Sequence, residues 1–197
     1  RVTVTRREKP GVSIRSIRGV VADLPLAAEK NTAGMAALAL QRELGLDYGF
    51  DLDVVKGIPL GSGLGGSAAS AVAGIVAAAA LVDEPLERTE LLKFAMQGEA
   101  VASGSVHVDN IAPSLYGGLV LTVGIDNPFV KQIPVPDTIR CVLVHPHMVL
   151  PTREARAILS KSVPLSDVIW QQANLAGFLA GCFTSDIALI RESLLDV

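Results

Sequence analysis

A glycine-rich segment at residues 59–70 carries the strongest chemical signal in the sequence. It reads Pro-Leu-Gly-Ser-Gly-Leu-Gly-Gly-Ser-Ala-Ala-Ser, with glycine at positions 61, 63, 65 and 66. Where side chains are missing, successive backbone N–H groups can turn toward one bound anion. The helix that begins near Gly66 adds the unpaired donors and the positive dipole end of its N-terminus. The pattern therefore predicts a phosphate-binding loop, and the plainer interpretation is a tight turn packed under a sheet.

Two familiar phosphate-binding motifs can be compared with this segment. The spacing Gly61-x-Gly63-x-x-Gly66 satisfies the dinucleotide fingerprint, and Asp83 follows at a roughly suitable distance. However, the sequence does not continue as alternating parallel strands and helices, which a dinucleotide-binding fold requires. A Walker loop is excluded because no Lys-Ser or Lys-Thr pair follows the glycines. The residues favour a nucleotide site of a third kind, and a dinucleotide oxidoreductase is a weaker alternative.

Polar side chains suited to an amino-acid substrate lie further along the chain. His107, Asp109 and Asn110 fall within four residues of one another and offer an imidazole, a carboxylate and an amide, although Asp and Asn also stabilise ordinary turns. Thr152 and Arg156 are spaced to share one face of a predicted helix. A guanidinium there could bind a carboxylate through two parallel hydrogen bonds.

These segments together resemble a known family. Residues 59–70 resemble the second motif of the GHMP small-molecule kinases, in which this loop wraps the phosphates of ATP. Residues 98–118 and 150–156 resemble the homoserine kinase branch of that family more than its other members. The resemblance runs along the whole chain but corresponds to the middle of such an enzyme. We therefore expect the family's N-terminal substrate-contacting motif and C-terminal glycine-rich motif to lie outside this sequence.

The resemblance implies an enzyme that uses ATP and Mg²⁺ to phosphorylate the side-chain hydroxyl of L-homoserine, giving O-phospho-L-homoserine for threonine biosynthesis. It implies that Ser67 and Glu99 hold the Mg²⁺ ion and act in catalysis together with Thr152. It further implies that Asn31 contacts the adenine, and that ATP is bound along Pro59, Gly61, Ser62, Gly63, Leu64, Gly65, Gly66 and Ser67. The substrate-binding residues implied are His107, Asp109, Asn110 and Arg156.

No residue in the sequence is a convincing general base, so we expect catalysis by positioning and charge stabilisation. Two other functions stay open. The first is another GHMP kinase such as a mevalonate kinase, against which the His107-x-Asp109-Asn110 set argues. The second is a non-catalytic nucleotide-binding module.

Hydrophobic periodicity predicts the elements that must position these residues. We expect strands within residues 1–22 and at 50–56, 117–123 and 139–144, and helices at 27–44, 67–82, 86–102, 152–159, 165–179 and 185–195. The resemblance implies an α+β GHMP kinase fold. Its N-terminal, ribosomal-protein-S5-like domain would occupy residues 1–125, and its ferredoxin-like C-terminal domain residues 126–197, both incomplete.

Composition narrows the class of protein. The 197 residues are 50% hydrophobic and 19% charged, which is enough for a large buried core. The 17 basic residues against 20 acidic ones are the wrong balance for binding nucleic acid. Residues 57–82 are uncharged, but their Ala, Gly and Ser content favours a tightly packed buried helix over a membrane span. With two cysteines only, we expect a reducing compartment, namely the cytoplasm or a plastid stroma. The resemblance also implies that the protein forms a homodimer.

Overall fold

The computed structural model describes residues 1–103, 108–124, 126–144 and 158–195, apart from the side chains of residues 102 and 103. Strands and helices are mixed, which confirms the α+β class. The elements, in chain order, are β1 (Val2–Arg7), β2 (Gly11–Gly19), α1 (Thr32–Glu43), β3 (Gly49–Lys56), α2 (Gly66–Ala79), α3 (Arg88–Ser103), α4 (Ile111–Tyr116), β4 (Leu119–Val123), β5 (Phe129–Ile133), α5 (Leu165–Thr184) and α6 (Ile187–Glu192).

The chain divides into two compact units. The first comprises Arg1–Gly117 with Thr122–Val130, and the second comprises Gly118–Leu121 with Lys131–Val197. A small core of Ile133, Cys182 and Ile190 stabilises the second unit. The glycine-rich segment lies in the first unit. The division into two domains at residues 125 and 126 stays a prediction.

The sheet of the first unit has β3 at its centre. Its strand order is β1-β3-β2, with β1 antiparallel and β2 parallel to β3. Side chains alternate along a strand, so Phe50, Leu52 and Val54 share one buried face of β3. Helices α1 and α2 pack against this sheet. The predicted alternation of residues 50–56 is confirmed.

Asp53 of β3 links the central strand to its parallel neighbour. Its carboxylate accepts a hydrogen bond from Ser16 Oγ at 2.6 Å and pairs with Arg15 at 2.6 Å. The Ser16 hydrogen bond and the Arg15 guanidinium both stabilise the charged form, and they lower the pKa of Asp53 below its usual value.

Helices α1, α2 and α3 approach one another through small residues. A Cβ atom added to Gly74 of α2 would lie 2.8 Å from the carbonyl oxygen of Ala33, and one added to Gly98 of α3 would lie 2.5 Å from the carbonyl oxygen of Thr32. The prediction of a buried, tightly packed helix after the glycine-rich segment is confirmed, since half of the residues of α2 are buried and only Val76 is exposed. Nowhere in the described ranges is a helix both long enough and apolar enough to cross a membrane.

Asn31 divides the segment that we predicted as one helix over residues 27–44. Residues Ala28–Lys30 form a single 3-10 turn, and α1 begins only after Asn31. The Asn31 backbone is extended, with φ −125° and ψ 133°, as is usual for a residue that caps a helix N-terminus.

The prediction of a strand at residues 139–144 is wrong. Residues 139–144 are irregular, with Val142 and Val144 more than 80% exposed, because no strand in the described part of the chain pairs with them. Helix α4, which was not predicted, lies between the polar loop around Asn110 and β4, and Pro113 fits within the first turn of that helix. Strand β5, which pairs with β4, was not predicted. Most of the helix predicted at 152–159 lies outside the described residues.

Candidate active site

The glycine-rich segment connects the central strand to helix α2. It leaves β3 after Lys56 and enters α2 at Gly66. Within it Gly61, Gly63 and Gly65 have φ values of +66°, +70° and +64°, in the left-handed region where any other side chain is strained. The repeated left-handed turns are the reason that glycine recurs at every second position. They give the segment the bare backbone that was predicted for an anion-binding loop.

Ser62 holds the turn of this loop. Its hydroxyl donates to the carbonyl oxygen of Pro59 at 2.9 Å and accepts from the backbone N–H of Leu64 at 3.4 Å. The first intrahelical bond of α2 follows, from the N–H of Ala69 to the carbonyl of Gly65 at 2.9 Å. The N–H groups of residues 66–68 come before any such partner, so they are the donors that a helix N-terminus offers to an anion.

Ser67 and Glu99 meet beside this loop. The Ser67 hydroxyl donates to Oε1 of Glu99 at 2.8 Å, although the two residues are 32 positions apart in sequence. Glu99 is only 7% exposed. The close packing at Gly98 places its neighbour Glu99 next to the first turn of α2.

The Ser67–Glu99 pair fits a magnesium ion by its donor chemistry. Mg²⁺ prefers oxygen ligands and usually takes one or two carboxylates, with substrate phosphates and water completing the shell. One hydroxyl and one carboxylate oxygen, adjacent to backbone donors for phosphate, provide such a set. Their role as metal ligands remains a proposal.

Lys56 is a residue that sequence reasoning missed. Its side chain is 7% exposed, and Nζ donates to the carbonyl oxygen of Gly66 and to Oγ of Ser70, each at 2.6 Å. Burial lowers the pKa of Lys56, while the negative charge of Glu99 acts in the opposite direction. The available signal was its register, because position 56 continues the inward-facing series of Leu52 and Val54.

Asn31 is placed by hydrogen bonds of its own side chain. Its Oδ1 accepts from the N–H groups of Ala33 and Gly34 at 3.1 and 3.3 Å, and its Nδ2 donates to the carbonyl of Pro25 at 3.0 Å. The side chain therefore caps α1, whose first turn packs against α2 and α3. Contact with adenine stays a prediction for this residue.

The predicted substrate residues are placed only in part. Asn110 lies beside the glycine-rich segment, because a Cβ atom added to Gly65 would lie 3.0 Å from its Oδ1. Asp109, its neighbour, is exposed. His107, Thr152 and Arg156 lie outside the described residues.

Comparison with known proteins finds sequence similarity to a family of kinases. Residues 31–118 match the family model of the GHMP kinases N terminal domain. A homoserine kinase of Xylella fastidiosa is 50% identical over all of this chain and 60% of its own length, and one of Xanthomonas campestris is 48% identical with the same coverage. The chain thus spans about 60% of the length of these relatives.

Solved structures show the same fold. The crystal structure of homoserine kinase from Cytophaga hutchinsonii superposes with a TM-score of 0.91 at 42% identity, covering 100% of this chain and 62% of that one. A mevalonate kinase from L. major shares the fold at a TM-score of 0.64 and 16% identity, over 98% of this chain and 63% of that one.

Residues 31–118 are therefore similar to the N-terminal domain of GHMP kinases, and the chain has the fold of the homoserine kinase from Cytophaga hutchinsonii. Its sequence identity to the homoserine kinases of Xylella fastidiosa, Xanthomonas campestris and Cytophaga hutchinsonii is 42–50%, against 16% to the mevalonate kinase.

Proposed function

We propose that the protein transfers the γ-phosphoryl group of ATP to the side-chain hydroxyl of L-homoserine, giving ADP and O-phospho-L-homoserine. The contact of Ser67 with Glu99 beside a bare glycine loop is the observation that carries this proposal. It joins a phosphate-binding backbone to a pair of metal-binding oxygens, which is what phosphoryl transfer requires. The identity of 48–50% to homoserine kinases supports the choice of acceptor.

ATP is bound in this proposal by the loop from Pro59 to Gly66. The N–H groups at the start of α2 receive the phosphates, and the positive end of the helix dipole favours their charge. The left-handed glycines keep side chains out of the space that the phosphates need. Asn31 is proposed to contact the adenine.

Ser67 and Glu99 are proposed to hold Mg²⁺. When bound, the ion neutralises charge on the transferring phosphoryl group. Glu99 is buried, so its carboxylate is shielded from water and its orientation is fixed by the Ser67 hydroxyl.

The acceptor is proposed to bind on the side of the loop that Asn110 contacts. Asp109 would pair with the ammonium group of the amino acid, His107 and Asn110 would orient its hydroxyl, and Arg156 would bind its carboxylate. Thr152 is proposed to join the site next to Arg156. Because the transition state of phosphoryl transfer is loose, alignment of the hydroxyl matters more than its early deprotonation, and no dedicated base is needed.

Mevalonate kinase and a non-catalytic nucleotide-binding module are the alternatives. The 16% identity to the mevalonate kinase supports a common fold but not a common acceptor. A cytoplasmic location and a homodimer are proposed by analogy with bacterial biosynthetic kinases.

A coupled assay of ADP release tests the function. Full-length protein is supplied with Mg²⁺–ATP and, in turn, L-homoserine, L-serine, L-threonine or R-mevalonate. We expect release that depends on homoserine. Faster release with mevalonate would favour the first alternative, and calorimetric binding of ATP without release on any acceptor would favour the second.

Glu99→Gln tests the site within the same assay. Removing the carboxylate charge is expected to lower kcat/KM by about 100-fold or more, the scale on which such electrostatic groups act. Glu84→Gln, on an exposed residue before α3, is the matched control and is expected to leave kcat/KM unchanged. Equal activities of the two variants would contradict the role of Glu99.

A further inference from the structure

The ammonium group of Lys56 takes no part in the phosphoryl transfer proposed above, yet it is bound to the first turn of α2. Its Nζ donates to the carbonyl oxygen of Gly66 and to Ser70 Oγ, both at 2.6 Å. Ser70 Oγ donates in turn to the same Gly66 carbonyl at 3.0 Å. Ammonium, hydroxyl and carbonyl thus form a closed triangle at the end of the phosphate loop.

An ammonium group is an unexpected choice for this position. Lys56 continues a strand face made of Phe50, Leu52 and Val54, where a side chain such as methionine would fill the space without the cost of desolvating a charge. Stability alone therefore does not explain the lysine. What the lysine supplies, and a methionine would not, is a charged donor to the Gly66 carbonyl.

That carbonyl belongs to the peptide group that joins Gly66 to Ser67. In a trans peptide the C=O and N–H bonds point in opposite directions, so a partner that fixes the carbonyl of Gly66 also fixes the direction of the N–H of Ser67. A cationic donor on the carbonyl also polarises the peptide group and strengthens its N–H as a donor. The N–H of Ser67 comes before the first intrahelical hydrogen bond of α2, which starts at Ala69.

We propose that Lys56 is a positioning residue for nucleotide binding: its hydrogen bond to the Gly66 carbonyl orients and polarises the Gly66–Ser67 peptide, whose N–H then receives a phosphate of the nucleotide. The proposal rests on the proposed function, because it assumes that phosphates bind at this loop. It assigns to Lys56 no contact with the nucleotide itself.

The test compares ligands with and without phosphates. In the full-length protein, Lys56→Met keeps the length of the side chain and removes the charge, and Lys93→Met makes the same exchange at an exposed position of α3. Calorimetry with Mg²⁺–ADP, and with adenosine as a competitor, gives the dissociation constants. We expect Lys56→Met to weaken ADP binding about tenfold, the scale of one charge-assisted hydrogen bond, and to leave adenosine binding at the Lys93→Met value.

The results that overturn the proposal are distinct. The proposal is overturned if Lys56→Met and Lys93→Met bind ADP with equal affinity. It is also overturned if Lys56→Met loses affinity for ADP and for adenosine equally, because that result would indicate contact with the base or general unfolding. Ser70→Ala provides a second variant, because it leaves the bond from Lys56 to Gly66 in place. ADP affinity within about threefold of wild type is expected for it, and a loss as large as that of Lys56→Met would overturn the role of the carbonyl.

Steady-state kinetics provide a readout that a merely structural role would not produce. Lys56→Met is expected to raise KM for ATP about tenfold, with KM for homoserine at the value of Lys93→Met and the melting temperature at or above it. A parallel rise in both KM values would overturn the proposal. If the wild-type protein binds ADP but does not phosphorylate homoserine, only the proposed function is contradicted. The role of Lys56 can still be tested in that case, because the ADP affinities of Lys56→Met and Lys93→Met can be compared without turnover.

Discussion

Replacement of Gly98 by alanine tests the packing that brings Glu99 to Ser67. The new Cβ atom would lie 2.5 Å from the carbonyl oxygen of Thr32, a backbone atom that cannot rotate away. Overpacking of this kind costs about 1–3 kcal/mol, and contact with backbone places Gly98→Ala near the upper end. Alanine recovers about 1 kcal/mol through its higher helix propensity. The expected net loss in the free energy of unfolding is about 2 kcal/mol.

Thermal unfolding followed by circular dichroism measures this loss. For a chain of 197 residues, a change of 1 kcal/mol moves Tm by about 2–4 °C, so Gly98→Ala should lower Tm by about 4–8 °C. Gly57→Ala is the control, since its Cβ atom would meet nothing within 4 Å, and its stability should stay within about 0.5 kcal/mol of wild type. A Tm for Gly98→Ala at or above that of the control would refute the argument from close helix packing.

Three further predictions address other parts of the first unit. Asn31→Asp keeps the side-chain oxygen that caps α1, so we expect Tm within about 3 °C of wild type. It removes the amide donor of Asn31, so we expect a higher KM for ATP. An unchanged KM would contradict the proposed contact of Asn31 with adenine. Gly65→Ala and Gly63→Ala both place alanine at a positive φ, which costs about 1–2 kcal/mol of strain, but only the new Cβ atom at position 65 would also meet the Asn110 side chain. Calorimetry with Mg²⁺–ADP should therefore show a larger loss of affinity for Gly65→Ala than for Gly63→Ala. Equal losses would mean that backbone strain alone lowers the affinity. The hydrogen bond from Ser16 and the neighbouring guanidinium of Arg15 lower the pKa of Asp53 in the folded protein. Its carboxylate therefore contributes its full stabilisation above the pKa of the unfolded chain, about 4, and loses it as the pH falls through the lower pKa of the folded protein. Asp53→Asn should therefore be less stable than wild type at pH 7 and approach it in acid denaturation below about pH 4, and a gap that stays constant down to pH 2 would count against this linkage.

The sequence predicted elements best where periodicity was long and unbroken. The alternation along β3 and the small-residue run of α2 each indicated one structure, and both are observed. Strand β5 and helix α4 are short, with five and six residues, so neither carries enough periods to be recognised. Residues 139–144 have strand composition, but a strand also needs a hydrogen-bonding neighbour, and composition does not report one.

The candidate site, too, could be predicted from the sequence only in part. The glycine loop was recognisable from residue types alone, since only a required backbone conformation explains glycine at alternate positions. The contact of Ser67 with Glu99 depends on how two helices pack, so it came from the family resemblance and not from spacing. Lys56 was missed because a lysine at the end of a strand suggests a solvated charge. Only the tertiary structure places its ammonium group on the Gly66 carbonyl.

The central position of β3 has a consequence for how ligand binding can be detected. Since β3 is hydrogen-bonded to a strand on each side, its amide hydrogens can exchange with solvent deuterium only when the sheet opens. The amides of residues 57–65 begin immediately after it and need no such opening. A mass-spectrometric deuterium time course should therefore show a sharp change of exchange rate at residue 57. If added nucleotide slows deuterium exchange only from residue 57 onward, the slower exchange reports bound nucleotide and not a change in the opening of the sheet.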